Sequence, residues 1–240
     1  MARDAIHYLR SMPHTGMQDA LIEACEALGF NVQPETSGAS IWHNRILVAE
    51  VNDNEFKLRY AALDQLDGSM PVVTPEQGQA FDRALVKIEW DQVAIHEAGH
   101  VVAAHKLGLT ICFARLGAES AMQLCADDDV DSLTYTEDEV EKVERLQQAY
   151  AAGAAGERVV FGVYRPHGVC KDRRDVNEME TLKVQGQTGN AEGTSDVFDD
   201  YVQRVERQLS IGELLAVASA LKEKRFLSRQ ELQSVLQRAD

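Results

Sequence analysis

The sequence predicts a mainly α-helical domain carrying a small β element, preceded by a small α+β region. Three observations predict it. Long stretches after residue 79 place apolar residues at helical spacing, residues 41–61 are rich in strand formers, and a Gly- and Pro-containing segment separates the two.

In the first region, Met17 to Leu28 carries apolar residues at helical spacing, and Gly29 follows where a helix C-cap belongs. Ile41 to Val51 reads as strand. An Asn-Asp-Asn turn follows at 52–54, then a second strand-like run from Phe56 to Ala61. Residues 65–79 hold Gly68, Pro71, Pro75 and Gly78, a linker composition, so the regions are drawn as 1–78 and 79–240. No role follows for residues 1–78 from these features.

The second region opens with a helix from about Thr74 or Pro75 to Leu107, closed by Gly108, and a strand from Leu109 to Leu116. Asp127 to Asp131 reads as a solvated loop, because a calcium loop needs a central Gly and a distal Glu in register. Thr136-Glu137-Asp138-Glu139 matches a capping box that opens a helix reaching about Phe161. Further helices are expected at 172–184, Val197–Leu209 and Ile211–Lys224, with a short one from Ser228 and a polar loop at Gln185–Gly193.

The formal net charge of −15 argues against nucleic acid and against an anionic membrane surface. No stretch approaches the roughly 20 apolar residues of a membrane span. The N-terminus lacks the apolar core of a signal peptide, and the expected location is the cytoplasm. Cys25, Cys112, Cys125 and Cys170 are widely spread with no Cys-x-x-Cys pair, a pattern read as reduced thiols.

The chemistry concentrates in His96-Glu97-Ala98-Gly99-His100. On an α-helix the two histidines are about 40° and 6 Å apart, so both imidazoles reach one zinc ion. Glu97 lies about 100° from His96, beside the metal but not on it, where a general base toward zinc-activated water belongs. Gly99 costs about 1 kcal/mol of helix stability relative to Ala, which implies a packing reason. His105 falls about 140° from His100 and cannot share the ion, so it is read as structural.

Around this motif the chain resembles a known family. His96-Glu-Ala-Gly-His-Val-Val-Ala-Ala-His-Lys-Leu-Gly108 is similar to the catalytic helix of the FtsH-type zinc proteases. Ala152-Gly-Ala-Ala-Gly-Glu157-Arg-Val-Val-Phe-Gly162 resembles a second helix of that family, and Ala220 to Leu232 resembles its closing helices. The matches cover roughly residues 85–240. The resemblance implies a helical zinc-metallopeptidase domain at 79–240, with a site of two His and one Asp. The third ligand is expected in a Gly-x-x-x-Asp segment after the Phe-Gly. Gly168-Val-Cys-Lys-Asp172 has that spacing and selects Asp172, with Asp175 as the alternative because Val176, Met179 and Leu182 follow it. Glu157 matches a family glutamate beside the zinc and is expected to orient a ligand histidine.

The chain departs from the family in lacking a Gly-x-x-x-x-Gly-Lys-Ser/Thr phosphate loop and a membrane span. The function expected is therefore an ATP-independent zinc metalloendopeptidase acting on peptides or unfolded protein segments, with substrate lying along an edge near 109–116. The alternative is a non-enzymatic or regulatory zinc-binding protein that keeps the peptidase fold. The substrate is the principal partner expected; a homo-oligomer and a separate ATPase are further candidates.

Overall fold

The computed structural model describes residues 5–14, 16–52, 55–66, 70, 72–117, 120–125, 140–166, 168–188 and 195–239. The architecture is mainly α with small antiparallel sheets. Two compact units divide between Gln92 and Val93. The boundary drawn from composition at 78/79 falls in the first turn of the long helix Pro75–Lys106, and the division between the units falls further along the same helix.

In the first unit, α1 (Ala5–Arg10) and α2 (Gln18–Ala27) precede an antiparallel meander of β1 (Asn31–Glu35), β2 (Gly38–His43), β3 (Ile46–Asn52) and β4 (Glu55–Leu58). The short helix α3 (Tyr60–Gln65) and the start of α4 (Pro75–Lys106) complete it. Leu21 and Cys25 of α2, Ile41, Val48 and Val51 of the sheet, and Phe81 and Ile88 of α4 share one core.

Two expectations are corrected here, and one strand is added. The run from Ile41 to Val51 is a hairpin and not one strand, because Asn44 and Arg45 take φ of 48° and 67° and reverse the chain in two residues. The next strand stops at Leu58, where α3 begins at Tyr60. The additional strand β1 contains Pro34, which a strand tolerates at a sheet edge.

A capping box opens α4. Gln77 N–H donates to Thr74 Oγ1 at 3.2 Å and Thr74 N–H donates to Gln77 Oε1 at 2.9 Å. The helix ends at Lys106, and Gly108 takes the left-handed φ of 71° that closes it.

The second unit contains the last turns of α4, then β5 (Ile111–Arg115), β6 (Ala121–Leu124), α5 (Val140–Phe161), α6 (Cys170–Thr188), α7 (Phe198–Glu206), α8 (Ile211–Lys224), β7 (Phe226–Ser228) and α9 (Arg229–Ala239). Ala151, Ala152 and Ala155 of α5 pack with Val176 of α6 and with Phe198 and Val202 of α7. Helix α6 continues through Gln185 to Thr188, into a segment expected to be loop. The acidic run Asp127–Asp131 and the capping box at Thr136–Glu139 lie outside the described residues. Among the described residues, no helix is long and apolar enough to cross a membrane.

The small sheet has the order β6-β5-β7, all antiparallel. Residues 109–116 were expected to offer an edge, and this is corrected: β5 is the central strand, flanked on both sides, and β6 is an edge. Neither β6 nor β7 was visible in the sequence, since each is only three or four residues long and is strand by virtue of its pairing with β5.

The cysteine reading is also corrected. Cys112 and Cys125 form a disulfide with Cα atoms 5.1 Å apart. They are 13 residues apart in sequence, and the antiparallel pairing of β5 with β6 brings them together. Disulfides persist in oxidising surroundings, so the thiol pattern no longer supports a cytoplasmic location. Cys25 is buried, which pushes its thiol up to about 12, and Cys170 is exposed.

Candidate metal centre

Helix α4 carries His96, Glu97 and His100 on its buried side, against α5. The approach of the two helices requires Gly99: a Cβ there would stand 2.2 Å from the Ala152 carbonyl oxygen. This is the packing reason the sequence implied for a glycine inside a helix.

The imidazoles are oriented from behind. His96 Nδ1 lies 3.0 Å from Glu157 Oε1, and His100 Nδ1 lies 2.8 Å from the Ala149 carbonyl oxygen. A carboxylate and a carbonyl can only accept, so both Nδ1 atoms carry the proton. Glu157 is itself held, accepting the Arg165 backbone N–H at 2.8 Å and contacting its guanidinium at 3.5 Å. Burial works to raise its carboxyl, but His96 first and Arg165 second override it and keep it below the ordinary value.

With Nδ1 protonated, a neutral ring presents a lone pair at Nε2. The two Nε2 atoms converge to 3.1 Å, and Asp172 Oδ2 stands 3.1 Å from the first and 3.5 Å from the second. These ligand atoms all lie within 4.8 Å of one another. Asp172 Oδ2 is buried without a hydrogen bond, since neither neutral ring has a proton to give it. Three acceptors facing one another are a repulsive arrangement until a cation enters. Two imidazoles and one carboxylate, with positions left open, form a donor set suited to zinc.

Space for an ion is provided by Gly153 of α5. A Cβ there would fall 2.5 Å from His96 Nε2 and 2.6 Å from His100 Nε2. The hollow between the rings is therefore kept by the absence of a side chain at residue 153.

Without a metal, protons must relieve the conflict. Burial by itself lowers His96, but hydrogen bonds to Asp172 and Glu157 override it and push the pKa up to about 10. His100 is raised in the same way, mainly by Asp172. Burial works to raise Asp172, and the charges and hydrogen bonds of His100 and His96 hold it well below the carboxylate range.

Asp172 reaches the cluster because α6 begins at Cys170 and places it in the first turn. The helix is anchored beyond it. Arg173 pairs with Asp196 at 2.8 Å and stacks 5.0 Å from the Phe198 ring centre, while Gln147 of α5 donates to the Val176 carbonyl at 3.2 Å. Asp175, the other candidate, faces Arg174 at 3.3 Å and is outside the cluster. His105 is exposed on the last turn of α4, also outside it.

Glu97 is 5% exposed and is not among the converging donors. Burial raises its pKa against the opposing pull of His100 and His96. Its carboxylate accepts the backbone N–H of Met122 in β6, and Oε2 has no hydrogen-bond partner. The cleft in front of the cluster has a volume of about 600 Å³ and is bordered by β6 on one side and by Arg165 and Lys171 on another. Sequence reasoning missed Gly153, the Ala149 carbonyl and β6. Only Gly153 left a signal, as a second glycine in the middle of a helix.

No protein-family model matches the chain, and no curated protein matches it.

Proposed function

We propose that this chain is an ATP-independent zinc metalloendopeptidase of the FtsH type, hydrolysing peptide bonds in peptides or unfolded protein segments. The observation that carries this reading is the convergence of His96 Nε2, His100 Nε2 and Asp172 Oδ2 on one point, with Glu97 alongside and its Oε2 without a hydrogen bond.

His96, His100 and Asp172 would hold the ion. Bound there, zinc supplies Lewis acidity that makes water a nucleophile near neutral pH and polarises a carbonyl. Glu97 accepts the proton that water releases on attacking the scissile carbon, then delivers it to the amide nitrogen as the C–N bond breaks. A carboxylate whose pKa is raised by burial is suited to both halves of that transfer. Glu157 keeps His96 turned with Nε2 forward, and the Ala149 carbonyl does the same for His100. The edge of β6 offers main-chain groups to an extended substrate beside Glu97.

The test combines metal analysis with cleavage of casein and a peptide library by wild type and Glu97→Gln. Wild type should carry zinc and cleave. Glu97→Gln should keep the zinc and lose activity by about 10²–10⁴-fold, the usual contribution of a general base. Wild-type protein that takes up no zinc would falsify the site, and zinc-loaded protein that cleaves nothing would leave a binding protein with a peptidase fold.

A further inference from the structure

We infer that the cleft selects peptides with an acidic side chain beside the scissile bond, through Lys171 and Arg165. The inference rests on the peptidase reading and names its substrate class.

Acidic residues outnumber basic ones 39 to 24 in this chain. At the cleft the acidic excess disappears, with Glu97 and Asp172 facing Arg165 and Lys171. Apart from the metal-binding set and Glu97, the charged side chains lining it among the described residues are Arg165 and Lys171. The opposite wall, residues 120–124 of β6 and its approach, carries no charge.

The fold leaves Lys171 unused and uses Arg165 only in part. Lys171 sits in the first turn of α6, where the helix dipole disfavours a positive charge, so helix stability does not account for it. It is exposed and makes no hydrogen bond or ion pair among the described residues; its influence reaches Asp175 only through space. The arginines that follow it are committed, Arg173 to Asp196 and Asp199, Arg174 to Asp175 and Glu178. Arg165 is committed in part: one terminal nitrogen contacts Glu157 at 3.5 Å, and its side chain is 30% exposed. That leaves an ammonium and part of a guanidinium bordering the cleft. A carboxylate on the substrate gains both, whereas a substrate lysine meets two like charges and the metal.

The experiment uses full-length, zinc-loaded protein and three fluorogenic peptide series that differ only in Glu, Gln or Lys, stepped through the positions around the scissile bond. At low ionic strength wild type should favour the best Glu peptide over its Lys counterpart by about tenfold in kcat/KM, the reach of two partly screened charge pairs. Added salt should narrow that ratio. Lys171→Glu should reverse the order, and a gain of Lys-peptide cleavage cannot come from misfolding; Lys171→Gln should bring the ratio toward one. Equal turnover of the three series by wild type, or an unchanged ratio in Lys171→Glu, overturns the specificity and leaves the peptidase reading standing. No turnover of any series by zinc-loaded wild type overturns both.

Discussion

Gly153 and His96 are packed so closely that no side chain fits between them: a Cβ at residue 153 would stand 2.5 Å from His96 Nε2. The same Cβ would crowd His100 Nε2, so the space it would take is the space a metal ion needs. Gly153→Ala should therefore lose zinc while the helix that carries it gains about 1 kcal/mol in propensity. Metal content by emission spectrometry, set beside the circular dichroism spectrum, checks this. A variant that binds zinc as well as wild type would show that the ion sits elsewhere.

Asp172 and Asp175 make a paired experiment. Asp172 Oδ2 lies 3.1 Å from His96 Nε2, and Asp175 is turned to Arg174. Asp172→Ala should lose the metal, and Asp175→Ala should keep it with a stability change of about 1 kcal/mol or less, as for an exposed ion pair. Zinc titration against a chromophoric chelator distinguishes them; the opposite pattern would transfer the ligand role to Asp175.

In the proposed site Glu157 would act on zinc only through His96. Replacing it with Gln preserves shape but removes the charge that favours the protonated Nδ1. Zinc affinity should fall about 10–100-fold, the usual cost of losing such a supporting partner. Dissociation constants from chelator competition measure the effect directly, and an unchanged constant would reduce Glu157 to a packing role.

The pH dependence of the metal-free protein follows from His96. Burial opposes its protonation, yet Asp172 and Glu157 raise its pKa from 6.5 to about 10. A histidine raised on folding stabilises fully below its unfolded pKa and loses that contribution as pH climbs through the folded one. Chelator-treated protein should therefore lose stability between pH 6.5 and about 10. Zinc replaces the proton, so loaded protein should be flatter across the same window. Urea midpoints with and without chelator supply the comparison; parallel curves would contradict it.

Reduction of the Cys112–Cys125 bond releases a loop closed over 13 residues of separation, worth about 3 kcal/mol on the chain-entropy account. Reductant, or the paired substitution Cys112→Ser with Cys125→Ser, should lower the denaturation midpoint accordingly. Identical midpoints would mean that the bond contributes nothing to the folded state.

The parts of the site that were readable in the sequence are those fixed by local geometry. His96, Glu97 and His100 lie within five residues of one helix, and helical rotation alone puts the two imidazoles together. Asp172 could not be separated from Asp175 in this way, because residues three apart share much of a helix face; the choice depends on where α6 starts and what anchors it. The strand β6 has four residues with no alternation to read, and becomes a strand only against β5. The disulfide was hidden for the same reason. The hairpin at Asn44 and Arg45 lacks the glycine that usually advertises such a turn. Helices α4, α5 and α8 were legible because long amphipathic runs carry their own signal, and Gly108 and Gly162 punctuate the first two with positive φ.

The order of the small sheet also has a bearing on synthesis. Its central strand β5 emerges from the ribosome early, with β6 soon after, but its other neighbour β7 begins only at Phe226. Throughout the intervening translation, one side of β5 exposes unpaired backbone groups of the kind that recruit other chains. The nascent protein thus passes through a stage in which the helix carrying His96 and His100 is already made while the small sheet is incomplete. Chaperone demand should be concentrated in that interval, and should end when the last helical hairpin brings β7 into place.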